Sequence, residues 1–217
     1  MNKIYKLIRF EFRSEFRNLH LLSGLTLYIA SSVFVSYLAF RNMIQPLTWN
    51  AIFWLLVLFT AINTSARGFT QTNKGKWLYY FTLTKPGDFI LAKMTFFSVL
   101  QLFFSSFCFG FCSLFLGSFV QDFSLFVVNL ILGSIGISAI LSLVSSIASK
   151  AGSSLTLVAI LGFPLLLPLL LLLLRVSKNA IDGLAWSVSY QYLLGILFLD
   201  LAVFLLAFLL FPYLWND

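Results

Sequence analysis

The chain has 217 residues, of which 60% are hydrophobic and only 10% are charged, and its mean hydropathy is +0.98. A soluble domain of this size does not need so much apolar surface, whereas each membrane span needs about 20 mostly apolar residues. The net charge of +7 points to membrane topology and not to nucleic-acid binding, because Lys and Arg set the orientation of membrane helices. The composition therefore predicts a polytopic membrane protein.

The N-terminal segment 2–18 reads NKIYKLIRFEFRSEFRN, with basic and apolar residues on opposite sides of a helix. This pattern predicts an amphipathic helix lying in the membrane plane, with its basic side against anionic head groups. Glu11 and Glu15 fall in the apolar sector without a basic residue three or four positions away. We expect them to reach water at the interface, or to pair with a partner or with a later link. The basic side holds Lys3, Lys6, Arg9, Arg13 and Arg17.

Six apolar segments follow, and they predict an all-α fold with one membrane domain over residues 1–217. Each is long enough to cross the hydrocarbon core of a bilayer as a helix. The longest link between them, 67–88, is polar. The predicted spans are 19–40, 47–66, 89–116, 123–148, 155–174 and 190–211.

The distribution of basic residues predicts that both termini are cytoplasmic. With that orientation, only Arg41, Arg175 and Lys178 of the 14 Lys and Arg residues lie on the outer side, as the positive-inside rule requires. Aromatic residues near the ends of the spans are typical of a membrane-interface belt. They are Trp49, Trp77, Tyr79, Tyr80, Trp186, Tyr190, Tyr213 and Trp215.

The 67–88 link contains an apolar and aromatic stretch, WLYYFTLT, which is followed by Lys85-Pro86-Gly87-Asp88. Pro and Gly end one element, and Asp88 can cap the next helix. The stretch is either a loop that dips into the head groups or a docking element for a cytoplasmic partner. The residues assigned to such docking are Trp77, Tyr79, Tyr80, Phe81, Lys85, Pro86, Gly87 and Asp88.

The fifth span carries two prolines four residues apart, in LGFPLLLPLL. Pro164 and Pro168 each remove a backbone donor, and Gly162 adds flexibility. Membrane helices tolerate such breaks where neighbouring groups satisfy the freed carbonyls. We therefore expect the helix to bend here with its proline face turned inward, either as a hinge or as static packing.

Two other spans carry unusual residues. The fourth has small residues at Gly133, Gly136, Ala139, Ser142, Ser146 and Ser149, which favour close packing within the chain over a homodimer seam. Asp200 lies midway along the sixth span, where an ionised carboxylate is costly. It is expected to face the protein interior, either as a protonated, hydrogen-bonded acid or in contact with a substrate or a partner.

The sequence gives no sign of a catalytic or metal site. It contains no CxxC, HExxH or GxxxxGK[ST] motif, and Cys108 and Cys112 are interpreted as buried thiols. Phenylalanine occurs 26 times, which we interpret as lipid-facing bulk. We therefore predict a non-catalytic subunit with no directly bound cofactor.

Four segments together resemble the CcmB family, the membrane subunits of the cytochrome c maturation ABC transporter. They are the basic-aromatic N-terminal helix, the cytoplasmic LTKPGDFILAKM, the turn SKAGSS after the small-residue span, and FPLLLP in the fifth span. The resemblance extends over nearly the whole chain. The sequence departs from the family at Thr84 or a neighbouring residue, where the family has a proline, and Asp200 is outside the family pattern.

The resemblance implies an ABC-2 type fold in the bacterial inner membrane, with two copies in the complex. It implies a cytoplasmic CcmA-like ATPase that handles ATP and Mg, and CcmC-like, CcmD-like and periplasmic CcmE-like partners that handle haem. The complex would export haem or release the haem-loaded chaperone, and the segment from Trp77 to Asp88 would be the coupling helix. The alternative is an ABC-2 type permease for a lipid, drug or glycan. A membrane-embedded enzyme is disfavoured because no carboxylate pair or histidine cluster exists.

Overall fold

The computed structural model of the protein describes Arg9 and residues 19–40, 44–70, 86–150 and 155–216. All regular structure in these ranges is α-helical, and six of the helices are long and apolar enough to cross a membrane, as predicted. The largest difference at a single boundary is at the end of the fifth helix, which continues past residue 174 to Ile181. The helices are α1 (Leu19–Phe40), α2 (Pro46–Thr70), α3 (Pro86–Leu116), α4 (Phe123–Lys150), α5 (Leu155–Ile181) and α6 (Trp186–Asn216).

The helix starts follow from local chemistry. Pro46 and Pro86 are the first residues of α2 and α3, a position where the missing N–H of proline costs nothing. Asp122 caps α4, since its Oδ1 accepts the Leu125 N–H at 3.0 Å and the Ser124 hydroxyl at 2.7 Å. The hydrogen bond from Leu125 is the main cause that lowers the pKa of Asp122.

The end of α5 is tied to the link that precedes α4. Gly183 has a φ of +66°, the left-handed conformation that commonly ends a helix. The N–H of Leu184 donates to the Asn179 carbonyl at 3.0 Å, and the N–H of Asp122 donates to the Ala180 carbonyl at 2.9 Å. These bonds satisfy carbonyls that the helix end would otherwise leave without donors.

Helix α4 lies at the centre of the bundle and packs against α2, α3, α5 and α6. Within its span 72% of the residues are buried, compared with 17% in the spans of α1 and α6. The small side chains predicted to allow close packing are buried at Gly133, Gly136, Ala139, Ser142 and Ser146. This confirms that the stripe packs within the chain.

Large aromatic rings fill the spaces around this slender helix, so the interpretation of phenylalanine as lipid-facing bulk is wrong for many of them. Trp49, assigned above to the interface belt, is also fully buried and stacks on Phe53 at 5.7 Å. Trp186, Tyr190 and Tyr213 are exposed, as belt residues would be. Among the described residues, the fully buried phenylalanines are Phe53, Phe89, Phe96, Phe97, Phe104 and Phe126.

Candidate functional site

The first part of the candidate site is a joint between the start of α3 and the last turns of α6. A Cβ on Gly87 would lie 2.8 Å from Cε2 of Phe208, so the Phe208 ring packs directly against the backbone of α3 here. Two residues further on, the Phe89 ring stacks on Phe211 with centroids 5.8 Å apart and planes at 22°. Phe89 and Ile90 are buried. We call the contact of Gly87 and Phe89 with Phe208 and Phe211 the α3–α6 joint.

The predicted cytoplasmic link, 67–88, is shorter in the structure because both neighbouring helices extend into it. Residues 67–70 belong to α2, and Pro86, Gly87 and Asp88 form the first turn of α3. Asp88 therefore lies inside the first turn and not in front of the helix as expected. A carboxylate in the first turn interacts favourably with the helix dipole. The remaining assigned coupling residues lie outside the described ranges: Trp77, Tyr79, Tyr80, Phe81 and Lys85.

The predicted interfacial helix falls almost wholly outside the described residues. Of the residues assigned to it, Arg9 is helical and exposed. Glu11, Arg13, Glu15 and Arg17 lie outside the ranges that the structure describes.

Lys93 lies just beyond the joint, and the sequence suggested it only as a positive charge and as part of LTKPGDFILAKM. Its side chain is 4% exposed, and Nζ lies 5.8 Å from the ring centroids of both Phe89 and Phe97. Cation–π attraction of this kind is worth about 0.5–2 kcal/mol. The signal in the sequence was the spacing, since aromatic rings four residues before and after a lysine share its helix face.

The second part of the site is the carboxylate of Asp200 in α6. The residue is 7% exposed, which confirms that it faces the interior of the bundle. Its Oδ1 lies against Gly136 of α4, and Leu169 of α5 is a further neighbour of that glycine. Neither oxygen has a hydrogen-bond partner in the described part of the chain. The expected hydrogen bond is therefore not found among these residues, and the contact depends on Gly136 having no side chain.

Polar side chains join α4 to α3 and α5 at residues that precede Gly136 in the chain, and a third bond joins α3 to α2. The hydroxyls of Ser105 and Ser134 lie 2.8 Å apart, and Asn129 Nδ2 donates to the Leu173 carbonyl at 3.0 Å. Gln101 Nε2 likewise donates to the carbonyl of Val57 in α2 at 3.0 Å. Sequence reasoning missed Gln101 and Asn129, because a single amide in an apolar span gives no periodic signal.

The proline face of α5 is oriented opposite to the prediction. Pro164 and Pro168 are exposed, whereas Gly162 is buried, with Leu141 of α4 as a neighbour. The residues that pack inward are Gly162 and the leucines of the opposite face, Leu166, Leu169 and Leu173. Helix α5 is nevertheless continuous through both prolines.

No metal centre forms in the described ranges, since no three His, Cys, Asp or Glu side chains come together there. Cys108 and Cys112 are free, buried thiols, as their apolar surroundings predicted. No family model matches the chain, and neither a curated protein nor a solved structure is similar enough to count as a match. Function is therefore inferred from the residues, their geometry and the resemblance described above.

Proposed function

We propose that the chain is the permease subunit of an ABC transporter for cytochrome c biogenesis, in which it transmits the movement of an ATPase through the membrane. A CcmA-like partner hydrolyses ATP, and the complex exports haem or releases the haem-loaded CcmE-like chaperone with CcmC-like and CcmD-like subunits. Two copies of the chain act together in the bacterial inner membrane. The chain itself carries out no covalent chemistry.

The α3–α6 joint is the observation that supports this proposal best. The candidate docking stretch leads directly into Pro86, and the next residues of α3 are packed against α6 through stacked rings and a glycine contact. A force on the docking stretch would therefore reach α3 and α6 together, because close-packed interiors move as units and do not deform smoothly. This coupling would need no nucleotide-binding motif in the chain itself.

The movement would continue along α6 to Asp200. Eight residues separate Asp200 from Phe208, about 12 Å along a helix axis. A tilt of α6 would slide the carboxylate across Gly136, which has no side chain to obstruct this movement. Gly162, Pro164 and Pro168 would let α5 follow this tilt by bending.

The docking assignment is tested by the double variant Tyr80→Asp/Phe81→Asp. We expect loss of the copurifying ATPase in mild detergent, because two charges in an apolar groove are strongly unfavourable. Leu184→Asp is the matched control, since Leu184 is exposed in the link between α5 and α6 at the other end of the bundle, and it should retain the ATPase. Retention of the ATPase by the double variant would show that the stretch does not dock it.

The cargo is tested separately, in cells that lack the gene. Covalent haem staining should show loss of mature c-type cytochromes, and the wild-type gene should restore them. If staining is unchanged while the ATPase still copurifies, the alternative permease for a lipid, drug or glycan is favoured. A haem protein that purifies with the complex would support the first function.

A further inference from the structure

A pocket with mixed basic and apolar walls opens between α2, α5 and α6, at the end of the bundle where α2 and α6 begin. Its volume is about 520 Å³, within the range of about 300–1,000 Å³ that is typical of small-molecule sites. No residue in it was predicted as a site residue, and Arg175 and Lys178 were expected to lie in a link. Its lining is Leu47, Asn50, Leu171, Leu174, Arg175, Lys178, Asn179, Val188 and Tyr192.

The floor of the pocket is rigid. Asn50 Nδ2 donates to the Leu174 carbonyl at 3.1 Å, and Trp54 Nε1 donates to Ser177 Oγ at 2.9 Å. The Ser177 hydroxyl lies 2.7 Å from Asn50 Oδ1 and 2.8 Å from the Leu173 carbonyl oxygen, which compete for its single proton. These bonds fix α2 against α5, so the pocket exists before a ligand arrives.

The charged groups at the rim offer only donors. Arg175 Nη1 donates to the Tyr192 hydroxyl at 3.3 Å, and the guanidinium lies 5.8 Å from the centroid of that ring. The Tyr192 hydroxyl therefore keeps its own proton to donate. No carboxylate of the described residues pairs with Arg175 or Lys178, and none lines the pocket. A ligand of matching chemistry is an anion with several acceptor oxygens.

The apolar side of the pocket continues towards the membrane centre. Leu171 lies one helical turn before Arg175, and Pro168, Leu167 and Pro164 extend the same exposed face of α5 by further turns. Residues three, four and seven positions apart share a helix face. Cations at the end of a helix above an apolar strip match a head group with a hydrocarbon tail.

We propose that this pocket binds the anionic phosphate of a membrane phospholipid, whose acyl chain lies along the exposed proline face of α5. Arg175 and Lys178 contact the phosphate oxygens, Tyr192 donates its hydroxyl proton, and Leu171 covers the start of the tail. This assignment is independent of the cargo and of the ATPase partner. It holds for any permease built on this chain.

The test is native mass spectrometry of the full-length chain in detergent, titrated with three probes. Phosphatidylglycerol carries phosphate and tails, diacylglycerol carries tails only, and inorganic phosphate carries no tail. We expect phosphatidylglycerol to bind at one saturable site, and the other two probes to bind weakly. If diacylglycerol binds as tightly as phosphatidylglycerol, the cations do not contribute to binding. If inorganic phosphate binds as tightly as phosphatidylglycerol, the tail does not contribute.

Arg175→Gln and Lys178→Gln should each weaken phosphatidylglycerol binding by about tenfold, the usual effect of losing one charge-assisted hydrogen bond. Arg175→Lys keeps the charge and should lose less. Lys150→Gln removes the same charge at the end of α4, away from the pocket, and should bind like the wild type. Thermal unfolding in lipid-free detergent shows whether each variant is folded. Unchanged affinity in the folded double variant Arg175→Gln/Lys178→Gln would overturn the proposal.

Discussion

Replacing Gly133 with alanine tests how tightly the central helix is packed. A Cβ at this position would lie 2.8 Å from both Leu173 Cδ2 and Trp54 Cη2, and 3.0 Å from Trp54 Cζ3. Carbon atoms prefer separations of about 3.5–4.0 Å. The new methyl group would therefore have to displace α2 or α5 by several tenths of an ångström, or push the indole aside.

The indole of Trp54 has little room to move. Its Nε1 donates to Ser177 Oγ at 2.9 Å, and its ring lies edge-on to Phe53 with centroids 5.3 Å apart. Overpacking of this kind costs about 1–3 kcal/mol, and losing the indole bond adds about 1 kcal/mol. The better helix propensity of alanine offsets at most about 1 kcal/mol of this cost. We expect Gly133→Ala to lower the free energy of unfolding by about 1–3 kcal/mol.

The assay is thermal unfolding in detergent micelles, with Gly24→Ala and Gly110→Ala as controls. Both control glycines are helical, and a Cβ on either would meet no atom within 4 Å. They should be neutral or slightly stabilising. Trp54→Phe should recover part of the loss when combined with Gly133→Ala, because the smaller ring makes room. If Gly133→Ala unfolds at the same temperature as Gly110→Ala, the close contact at the centre of the bundle does not exist.

Two further predictions concern acidic residues. Asp200→Asn should unfold at a temperature no lower than the wild type, because no hydrogen bond of the described residues is lost. Asn129→Ala, which loses the bond to the Leu173 carbonyl, should instead cost about 1–3 kcal/mol, and the reverse order of stabilities would contradict the account of Asp200. Asp122→Ala should lower the melting temperature at neutral pH, because the pKa of Asp122 is held below its usual 3.8 by the Leu125 N–H. A lowered pKa stabilises the native state above pH 3.8, and this stabilisation is lost as the pH falls through the folded pKa. The difference in melting temperature between the wild type and Asp122→Ala should therefore become smaller in acid. Asp122→Asn keeps the cap, and its melting temperature should show no such change with pH.

Hydropathy and the positions of proline and polar residues determined the number of membrane helices and most of their limits. Runs of apolar residues long enough to cross a bilayer need no partner to be recognised, because the solvent that selects them is the membrane. Pro46 and Pro86 start helices through backbone geometry that is local to each residue. The inward orientation of Asp200 was also predictable, since a carboxylate in lipid is costly wherever it occurs.

Which face of each helix turns inward was decided only by the tertiary structure. In a bilayer the lipid tails are as apolar as leucine, so hydrophobicity does not separate the lipid-facing side from the packed side. The prolines of α5 face outward, against the prediction, while Trp49 and seven phenylalanines of the described residues are buried inside the bundle. The α3–α6 joint and the basic pocket each bring together residues from separate helices. Such contacts depend on how the helices pack, and no single stretch of the sequence contains them.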